Sequence, residues 1–416
     1  MIHKFFIVLT CLLLVTATNS SLASKSAKSM SHGKSAVVAD VCADATQPAS
    51  LRCARAPSAV FDNNNRLWVA WAMAGHVYVN YSDDLGKTFS TPVAVNRKPE
   101  AISARGENRP KIVVRTVGKK SNIYVSWTKP LKKRFTGHIR FSYSNDGGEH
   151  FSQPVIVNDD LSVTGHRFEA LAINEQGHIY LSWLDKRDRD KVRKAGGKYH
   201  GAAVYYTWSD DGGKTFKPNT KVIDHSCECC RVVMKMDQQL PVILWRNIYG
   251  KNTRDHSLVK FSESNQPGKI ERVSFDNWQV DACPHHGPDM SITDNGVYHL
   301  TWFNNAPERH GLFYTRRHSD GRYDSAINFG DYKSSASHPN VLHVGEEVWL
   351  VWKQFDGKQE SAWLQHSNDS GISWNKPVQL SVAKNSDYPF LLSNNDQVFV
   401  QWHTVDNGFQ LMPVNQ

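Results

Sequence analysis

Seven short segments of the chain alternate apolar residues, many of them β-branched or aromatic, with small or polar residues, and each segment ends in tryptophan. They are LWVAW (ending at Trp71), IYVSW (Trp127), IYLSW (Trp183), PVILW (Trp245), YHLTW (Trp302), VWLVW (Trp352) and VFVQW (Trp402). The tryptophans follow one another at intervals of 56, 56, 62, 57, 50 and 50 residues. Alternation with a period of two predicts β-strands, and a regular interval indicates a repeated unit. We therefore expect an all-β chain built from seven similar units.

A second repeat lies between these strands and has the form Ser-x-Asp-x-Gly-x-x-aromatic. Its copies are SDDLGKTF (82–89), SNDGGEHF (144–151), SDDGGKTF (209–216) and SNDSGISW (367–374), with a weaker copy, HSDGRYD, at 318–324. In a tight turn between two strands, the aspartate accepts backbone N–H hydrogen bonds and the glycine adopts a positive φ. The aromatic residue packs into the sheet. The repeat thus predicts a hairpin turn at each of these places.

This repeat resembles the Asp box, or BNR repeat, of the sialidase superfamily, and the resemblance spans nearly all of the chain after its first residues. It implies a β-propeller of four-stranded antiparallel blades, in which the boxes are structural turns far from the active site. We therefore assign no catalytic role to the aspartates of the boxes. The family has six blades, whereas the tryptophan strands favour seven here, with six as the alternative. The last unit is one strand short, and a strand over about 36–44 would complete it.

The first 23 residues have the pattern of a secretory signal peptide. Lys4 precedes an apolar run from Phe5 to Ala17, and small residues then offer a cleavage site after Ala23. That run is too short for a membrane span, and no later stretch approaches the necessary length. We expect residues 1–23 to be removed, 24–38 to be a flexible lead-in and 39–416 to form one sialidase-like propeller domain. The protein would then be exported, either to the periplasm or out of the cell.

One position of the repeat carries a basic or aromatic residue in every unit. When the units are aligned at the start of their innermost strand, this position holds Arg55, Arg109, Arg167, Arg231, His286, His338 and Tyr388. In a propeller, it faces the mouth of the central channel. Like charges buried around one axis are costly without counter-ions or a bound anion. This ring of residues therefore predicts a binding site for an anionic small molecule or sugar.

The excess of basic residues points to the same face. The formal net charge is +9, and much of it lies in loops after the tryptophan strands, above all in residues 185–201. Such a field would steer an anionic partner to the mouth, although a merely hydrated basic surface is the alternative. Aromatic residues are not interleaved with these charges, so we do not favour nucleic acid as the partner. Because a closed propeller leaves no long sheet edge to cover, we expect a monomer.

Two segments concentrate cysteine and histidine, namely HSCECCRVV at 225–233 and DACPHHGPD at 281–289. They lead into the innermost strands of neighbouring units, so both should meet at one edge of the mouth. Thiolates together with imidazoles suit copper(I) or zinc(II). The candidate metal ligands are Cys227, Cys229, Cys230, Cys283, His285 and His286.

Two other interpretations of these cysteines stay open. In an oxidising compartment they could be disulfide-bonded, although a bridge between adjacent Cys229 and Cys230 would be strained. They could also form a redox dithiol, because Arg231 and the histidines would lower a thiol pKa. Of the other three cysteines, Cys11 lies in the predicted signal peptide. Cys42 and Cys53 are close in sequence, and we assign them to a disulfide that ties the N-terminal strand to the first unit.

The family resemblance also implies candidate catalytic residues. Sialidases hold the substrate carboxylate with three arginines, and they use a tyrosine nucleophile paired with a glutamate and an aspartate acid/base. Carried over to this chain, the resemblance implies Tyr388 as nucleophile and Glu169 as its partner. Arg55, in Arg-Ala-Pro, resembles the arginine of the family's Arg-Ile-Pro signature, and Arg109, Arg167 and Arg231 would supply the other arginines. The chain departs from the family pattern because its Arg-Ile-Pro signature is not intact, no aspartate stands out as the acid/base, and the Cys/His segments occupy the mouth.

The sequence leaves three classes of function open. We favour an exported binding protein, whose ligand site is the basic mouth and whose Cys/His cluster holds copper or zinc. The first alternative is a glycoside hydrolase of exo-sialidase type that acts on an anionic sugar. The second alternative is a protein-interaction propeller in which every cysteine is disulfide-bonded.

Overall fold

Antiparallel hairpins fill almost the whole of the computed structural model, which describes Cys42 and residues 47–414. The seven tryptophans that end the predicted strands all lie in the second strand of a sheet and are almost fully buried. Alternate side chains of such a strand face the two neighbouring units: Trp68 packs against the second unit, whereas Trp71 packs against the last. Both faces of the strand are therefore buried and apolar.

The described residues form 27 strands in seven antiparallel units, numbered here in chain order. The first three units comprise β1 (Arg55–Phe61), β2 (Leu67–Met73), β3 (His76–Ser82) and β4 (Val93–Ala94); β5 (Lys111–Val117), β6 (Lys120–Pro130), β7 (Gly137–Ser144) and β8 (Val155–Ile156); and β9 (His166–Ile173), β10 (Ile179–Asp185), β11 (Ala202–Ser209) and β12 (Thr220–Ser226). The next three comprise β13 (Val233–Asp237), β14 (Leu240–Tyr249), β15 (Thr253–Lys260) and β16 (Glu271–Arg272); β17 (Asp289–Ile292), β18 (Tyr298–Ala306), β19 (Arg309–Arg317) and β20 (Ile327–Phe329); and β21 (Ser337–Val344), β22 (Glu347–Phe355), β23 (Glu360–Ser367) and β24 (Val378–Ala383). The seventh unit has three strands, β25 (Phe390–Asn394), β26 (Gln397–Thr404) and β27 (Gly408–Pro413). Helix α1 (Arg187–Lys194) follows β10, and short 3-10 helices cover Leu51–Cys53 and Tyr332–Ser334.

The first strands of the seven units close a ring. Strands β1, β5, β9, β13, β17, β21 and β25 each contact the next, and β25 contacts β1. The other strands of each unit pair outward from this ring in chain order. This architecture is a β-propeller, as the sequence predicts.

The Asp boxes lie at the hairpins between the third and fourth strands of their units. In the first box, the hydroxyl of Ser82 donates to Asp84 at 2.8 Å, and Asp84 also accepts from the backbone N–H (2.8 Å) and the hydroxyl (2.6 Å) of Thr88. Phe89 packs edge-on against Phe409 of the last unit. The contact between serine and aspartate recurs in the other three full copies. The boxes are structural turns, as their chemistry predicts.

The third and fourth units are joined directly through their sheets. Ser226 at the end of β12 pairs with Asn247 of β14, which merges the two units into one sheet of eight strands. The chain then crosses from β12 to β13 through residues 227–232, most of which are buried. This crossing holds the first cysteine segment between the two units.

A disulfide joins Cys42 to Cys53, with Cα atoms 5.4 Å apart, and so attaches residue 42 to the segment before β1. The predicted signal peptide, the lead-in and most of the predicted strand at 36–44 lie outside the described residues. The described residues belong to one compact unit, Val38–Gln416. Among them, no helix has the length and apolar character needed to cross a membrane.

Candidate functional site

Three of the innermost strands begin with a β-bulge at the mouth of the channel. The pairing register shifts near the start of β1, β9 and β21, and Ala56, Phe168 and His338 adopt a positive φ there. A bulge bends the strand and re-aims its side chains, and bulges are common at barrel rims and beside functional sites. In this register His338 corresponds to Ala56 and Phe168, one position later than its predicted alignment with Arg55 and Arg167.

Two of the four ring arginines are buried and paired with carboxylates. Arg109 donates to Asp387 at 2.7 Å, and Arg231 donates to both oxygens of Glu107 at 3.0 and 3.1 Å. The bulge carbonyls of β1 and β21 accept a further N–H from Arg109 and Arg231, at 3.0 and 3.1 Å. The protein thus supplies the counter-ions for these two guanidiniums, and they need no bound anion to be buried.

Glu107 lies at the centre of the mouth, although we did not predict it from the sequence. Besides the two bonds from the guanidinium of Arg231, it accepts one from the backbone N–H of Arg231 at 3.3 Å and one from Nδ1 of His338 at 2.9 Å. Burial alone would raise the pKa of Glu107, but the charge of Arg231 and the bond from His338 hold it below its usual range. Glu107 is therefore an ionised carboxylate. Buried arginines of the ring require acidic partners. A search for acidic residues beside these arginines could therefore have identified Glu107, two residues before Arg109.

A stack of aromatic rings lies beside Glu107. The rings of Tyr388 and His338 stack with centroids 3.4 Å apart, and His286 lies 4.4 Å from His338. Gly106 makes room for the tyrosine, because a Cβ at this position would lie 2.7 Å from the hydroxyl oxygen of Tyr388. Burial, and then the charge of Glu107, raise the pKa of Tyr388 above its usual range, so the phenol is neutral at neutral pH. The structure brings five of the predicted ring residues together in this mouth cluster, namely Arg109, Arg231, His286, His338 and Tyr388.

A second group of titratable side chains surrounds Glu169 on β9. Its Oε2 accepts from the hydroxyl of Thr128 at 2.7 Å, whereas its buried Oε1 has no hydrogen-bond partner among the described residues. Burial raises the pKa of Glu169. Half-buried Lys111 feels the charges of both Glu169 and Arg109, and burial followed by the charge of Arg109 lowers the pKa of Lys111 to about 8. Arg167 is also half-buried, and it feels the charges of Glu169 and of Cys229.

The predicted nucleophile pair is not in contact within the described part of the chain. The carboxylates whose charges act on Tyr388 are those of Glu107 and Asp387, whereas Glu169 is bound to Thr128 on the preceding unit. A tyrosine needs a neighbouring base to become nucleophilic. In this arrangement both carboxylates whose charges act on Tyr388 are bound to arginines, Glu107 to Arg231 and Asp387 to Arg109.

An open cleft of about 380 Å³ adjoins the mouth between the first and second units. Arg55 and Arg105 line the cleft, and both are exposed. Arg55 therefore stands apart from the mouth cluster. Residues 100–105 form one wall of the cleft, and the chain continues from them through Gly106 into the mouth cluster. The volume of the cleft lies in the range of small-molecule sites.

Cys227, Cys229 and Cys230 turn toward one another in the crossing between β12 and β13. The sulfur of Cys227 lies 3.7 Å from that of Cys229 and 3.5 Å from that of Cys230. All three are buried, and they carry free thiols. Hydrogen bonds donated by Cys229 and Cys230 lower the pKa of Cys227, because they stabilise its thiolate. These residues, named here the cysteine trio, form a preorganised set of sulfur donors.

The segment before β17 brings a second group of donors to the trio. Cys229, Cys283 and His285 place their donor atoms within 4.8 Å of one another. Cys283 is a free and exposed thiol, and His285 is half-buried. His286 instead faces the mouth, where its ring stacks on Phe303 at 4.1 Å. The structure thus brings five of the six predicted metal ligands together and leaves His286 in the mouth cluster.

Two buried arginines lie against the cysteine trio. Arg246 donates to the carbonyls of His286 (3.0 Å) and Phe303 (2.7 Å), but its Nε and Nη1 have no hydrogen-bond partner among the described residues. After the thiol hydrogen bonds, the charges of Arg254 and Arg246 also lower the pKa of Cys227. Buried positive charge without a carboxylate partner favours the thiolate form of Cys227. The hydrogen bond with Cys227 raises the pKa of Cys229, and burial raises the pKa of Cys230.

The basic loop at 185–201 forms ion pairs with the first cysteine segment. Lys186 and Arg189 both bind the carboxylate of Glu228, at 2.9 Å each, and Glu228 stands inside the cysteine segment. Part of the positive charge of the loop is therefore neutralised locally. The loop is thus attached to the cysteine segment through Glu228, and its field at the mouth is weaker than the count of basic residues predicts.

No protein-family model matches the chain, and no curated protein matches it. Among solved structures, a polysaccharide lyase, the PL25 ulvan lyase bound to -[GlcA(1-4)Rha3S]-, is similar over 88% of this chain and 93% of its own, with a TM-score of 0.56 and 11% identity. A second PL25 ulvan lyase structure covers the same shares with a TM-score of 0.55 and 11% identity. The Hadza microbial sialidase Hz136 aligns over 84% of this chain and 76% of its own, with a TM-score of 0.44 and 13% identity. The likeness to the ulvan lyase concerns the fold alone, and it agrees with the sialidase-like propeller that the repeats predict.

Proposed function

We propose that this protein is an exported β-propeller that binds an anionic saccharide at the mouth of its channel, while the adjacent Cys/His cluster holds copper or zinc. The observation that carries the saccharide site is the cleft of about 380 Å³, which presents the exposed guanidiniums of Arg55 and Arg105. A guanidinium binds a carboxylate or sulfate group through two parallel hydrogen bonds.

The mouth cluster continues the same surface with a different chemistry. The half-buried ring of Tyr388, which stacks on buried His338, presents an apolar surface beside charges that are already neutralised. An uncharged part of a saccharide suits this surface, and its anionic groups suit the cleft. The fold supports the ligand class, since the similar ulvan lyase was solved with the saccharide -[GlcA(1-4)Rha3S]-.

Calorimetric titration with uronate-containing and sialate-containing oligosaccharides, beside neutral ones, tests the saccharide site. We expect binding of an anionic oligosaccharide alone, with the affinity reduced about tenfold by Arg55→Ala or Arg105→Ala, because each removes a charge-assisted pair. Arg322→Ala is the matched control, since Arg322 is exposed and paired with Asp320 at the opposite end of its unit. Absence of binding, or an equal loss in the control, contradicts the proposal.

A glycoside hydrolase of sialidase type is the second candidate, and the position of Tyr388 favours it. The hydroxyl of Tyr388 lies against Gly106 in the mouth, where a substrate in the cleft would reach it. Turnover of a sialoside with an activated leaving group measures this activity. Tyr388→Phe keeps the ring stack and removes only the hydroxyl, so it must abolish turnover. Absence of turnover in the wild-type protein leaves the binding protein.

The metal part of the proposal rests on the convergence of five sulfur and nitrogen donors around Cys229. Copper or zinc content is measured on protein purified from its native compartment, beside the double variant Cys229→Ser/Cys230→Ser. We expect at least about one equivalent of metal that the double variant loses, because soft and borderline ions need these thiolates. Protein without metal and without free thiols would make the cysteines structural bridges.

A further inference from the structure

We infer, on the basis that the Cys/His cluster binds metal as proposed above, that it holds two copper(I) ions which share Cys229. The inner ion is held by the buried cysteine trio. The outer ion is held by Cys229, Cys283 and His285, and it is accessible to solvent. The number of ions, their oxidation state and the route to the inner site all go beyond a simple metal-binding cluster.

The donor atoms fall into two groups of three. Cys227, Cys229 and Cys230 form the first group, and Cys229, Cys283 and His285 form the second, with all donor atoms of a group within 4.8 Å of one another. Cys229 alone belongs to both, and the five donors do not all lie within that distance of one another. One ion could therefore not reach every donor, whereas a thiolate sulfur has enough lone pairs to bridge two soft cations.

The inner group offers three sulfur ligands, so it favours an ion that is stable with a coordination number of three. The residues of the trio are only 1–4% exposed, so water has no access to a fourth coordination position. Structural zinc is almost always bound by four ligands, whereas copper(I) prefers soft thiolates and is stable with three of them. Three coplanar metal–sulfur bonds of about 2.3 Å place the sulfurs about 4 Å apart. The sulfurs of Cys229 and Cys230 lie 3.7 and 3.5 Å from that of Cys227, so a small opening of the trio would reach this spacing.

The outer group differs from the inner group in its access to solvent. Cys283 is exposed and His285 is half-buried. A donor molecule in solution can therefore deliver copper(I) to Cys283 first. Because Cys229 belongs to both groups, the ion passes to the trio by exchanging one ligand at a time without leaving sulfur. The outer group is thus the loading site for the inner one.

The surrounding charge fits this assignment. Four thiolates and two copper(I) ions leave two negative charges, and the buried guanidiniums of Arg246 and Arg254 supply two positive charges. The N–H groups at Nε and Nη1 of Arg246 have no hydrogen-bond partner within residues 47–414. A buried guanidinium without a carboxylate partner is stabilised by nearby negative charge, which the metal-bound thiolates would supply.

Titration of the reduced protein with copper(I), without oxygen and against a chromophoric copper(I) chelator, tests this inference. We expect two copper(I) ions per chain in the wild-type protein and one in Cys283→Ser, where the inner group is intact. Cys283 is exposed, so this variant leaves the core of the propeller unchanged. The chelator should also remove the two ions in two phases, with the outer ion leaving at least about tenfold faster. Zinc(II) alone should bind with a stoichiometry below two.

A matched control uses another three-donor group of the same molecule. Asp146, Glu149 and His150 also place their donor atoms within 4.8 Å of one another, but on an exposed surface with one imidazole and no sulfur. His150→Ala should leave the copper(I) stoichiometry at two.

The outcomes separate this inference from the proposed function. One copper(I) ion in the wild-type protein, or two that persist in Cys283→Ser, overturns the shared pair and leaves a metal-binding cluster. No bound copper and no bound zinc overturns the metal part of the proposed function together with the pair. Saccharide titration of the same samples reports on the mouth independently of both results.

Discussion

Carboxylates on the two faces of the propeller are held by donors from different parts of the chain. In the first Asp box, Asp84 accepts from Ser82 and Thr88, two and four residues away. At the mouth, Glu107 accepts from Arg231 and His338, which are 124 and 231 residues away. An Asp box carries its donors with it and can therefore be copied from unit to unit. The mouth cluster can form only when the ring has closed, so substitutions there should affect the whole molecule.

The largest expected effect comes from breaking the central ion pair of the mouth. Glu107→Gln leaves the guanidinium of Arg231 buried without its carboxylate, and His338 loses its acceptor. Removing one partner of a buried pair costs about 3–5 kcal/mol. We expect the free energy of unfolding, measured by urea denaturation, to fall by that amount.

Asp83→Asn provides the matched comparison on the Asp-box face. Asp83 pairs with Arg66 at 2.7 Å, but both side chains are substantially exposed. Such surface pairs contribute less than about 1 kcal/mol. Equal losses in Asp83→Asn and Glu107→Gln would show that the closed ring does not make the mouth cluster more sensitive.

A pair of glycines separates backbone strain from crowding at the mouth. Gly106 and Gly118 have positive φ values of 52° and 60°, but only Gly106 is packed against Tyr388, whereas a Cβ added at Gly118 would meet no heavy atom within 4 Å. Gly118→Ala should cost about 1 kcal/mol of unfolding free energy through strain alone. Gly106→Ala should cost about 2–3 kcal/mol, because it also displaces the tyrosine.

Saccharide affinity gives a second measurement on the same two glycine variants. Calorimetry should show weaker binding for Gly106→Ala, because the displaced Tyr388 disturbs the mouth. Gly118 lies at the hairpin between β5 and β6, so its variant should bind as the wild-type protein does. Unchanged binding in both variants would place the saccharide outside the mouth cluster.

The parts of the structure that depend on local sequence were predictable. Alternation predicted the tryptophan strands, and the serine, aspartate and glycine of the boxes predicted their turns. Glu107 and Asp387 were not predictable in this way, because their partners lie on other units and no short pattern connects them. The bulge of β21 also shifted His338 by one position, since an inserted residue leaves no trace in a period-two pattern.

In the two cysteine segments, too, the sequence predicted one feature and could not predict another. Their convergence followed from the adjacency of the fourth and fifth units. Which histidine faces the sulfurs did not follow, because His285 and His286 are neighbours in sequence but face opposite groups. Side-chain direction at an irregular segment before a strand depends on packing, which a single sequence does not show.

Smaller effects are expected from a change of pH, and the mouth and the Asp-box face should respond in different pH ranges. The pKa of Lys111 is lowered to about 8, first by burial and then by the charge of Arg109. Lys111 is therefore protonated below about pH 8 and neutral above it, and only the protonated form attracts an anion. We expect the affinity for the anionic saccharide to fall about tenfold between about pH 7 and about pH 9. Lys111→Met should remove this fall in calorimetric titrations.

Lys120→Met is the control for that pH profile. Lys120 is exposed at the start of β6, at the end of the unit away from the mouth. The fall in affinity should persist in this variant. A fall that also persists in Lys111→Met would assign the titration to another group of the mouth.

The smallest effect is expected at the Asp box, and at the opposite end of the pH scale. Hydrogen bonds from Thr88, followed by that from Ser82, lower the pKa of Asp84 to about 2 from its ordinary value of 3.8. The carboxylate of Asp84 therefore stabilises the folded state above about pH 4, and this contribution disappears as the pH falls through about 2. The unfolding free energy of the wild-type protein should exceed that of Asp84→Asn at neutral pH, and the difference should vanish near about pH 2. A difference that is constant over this range would mean that the turn depends on the shape of the side chain rather than on its charge. The Asp box would then be stabilised by geometry, in contrast to the mouth cluster, which is stabilised by charge.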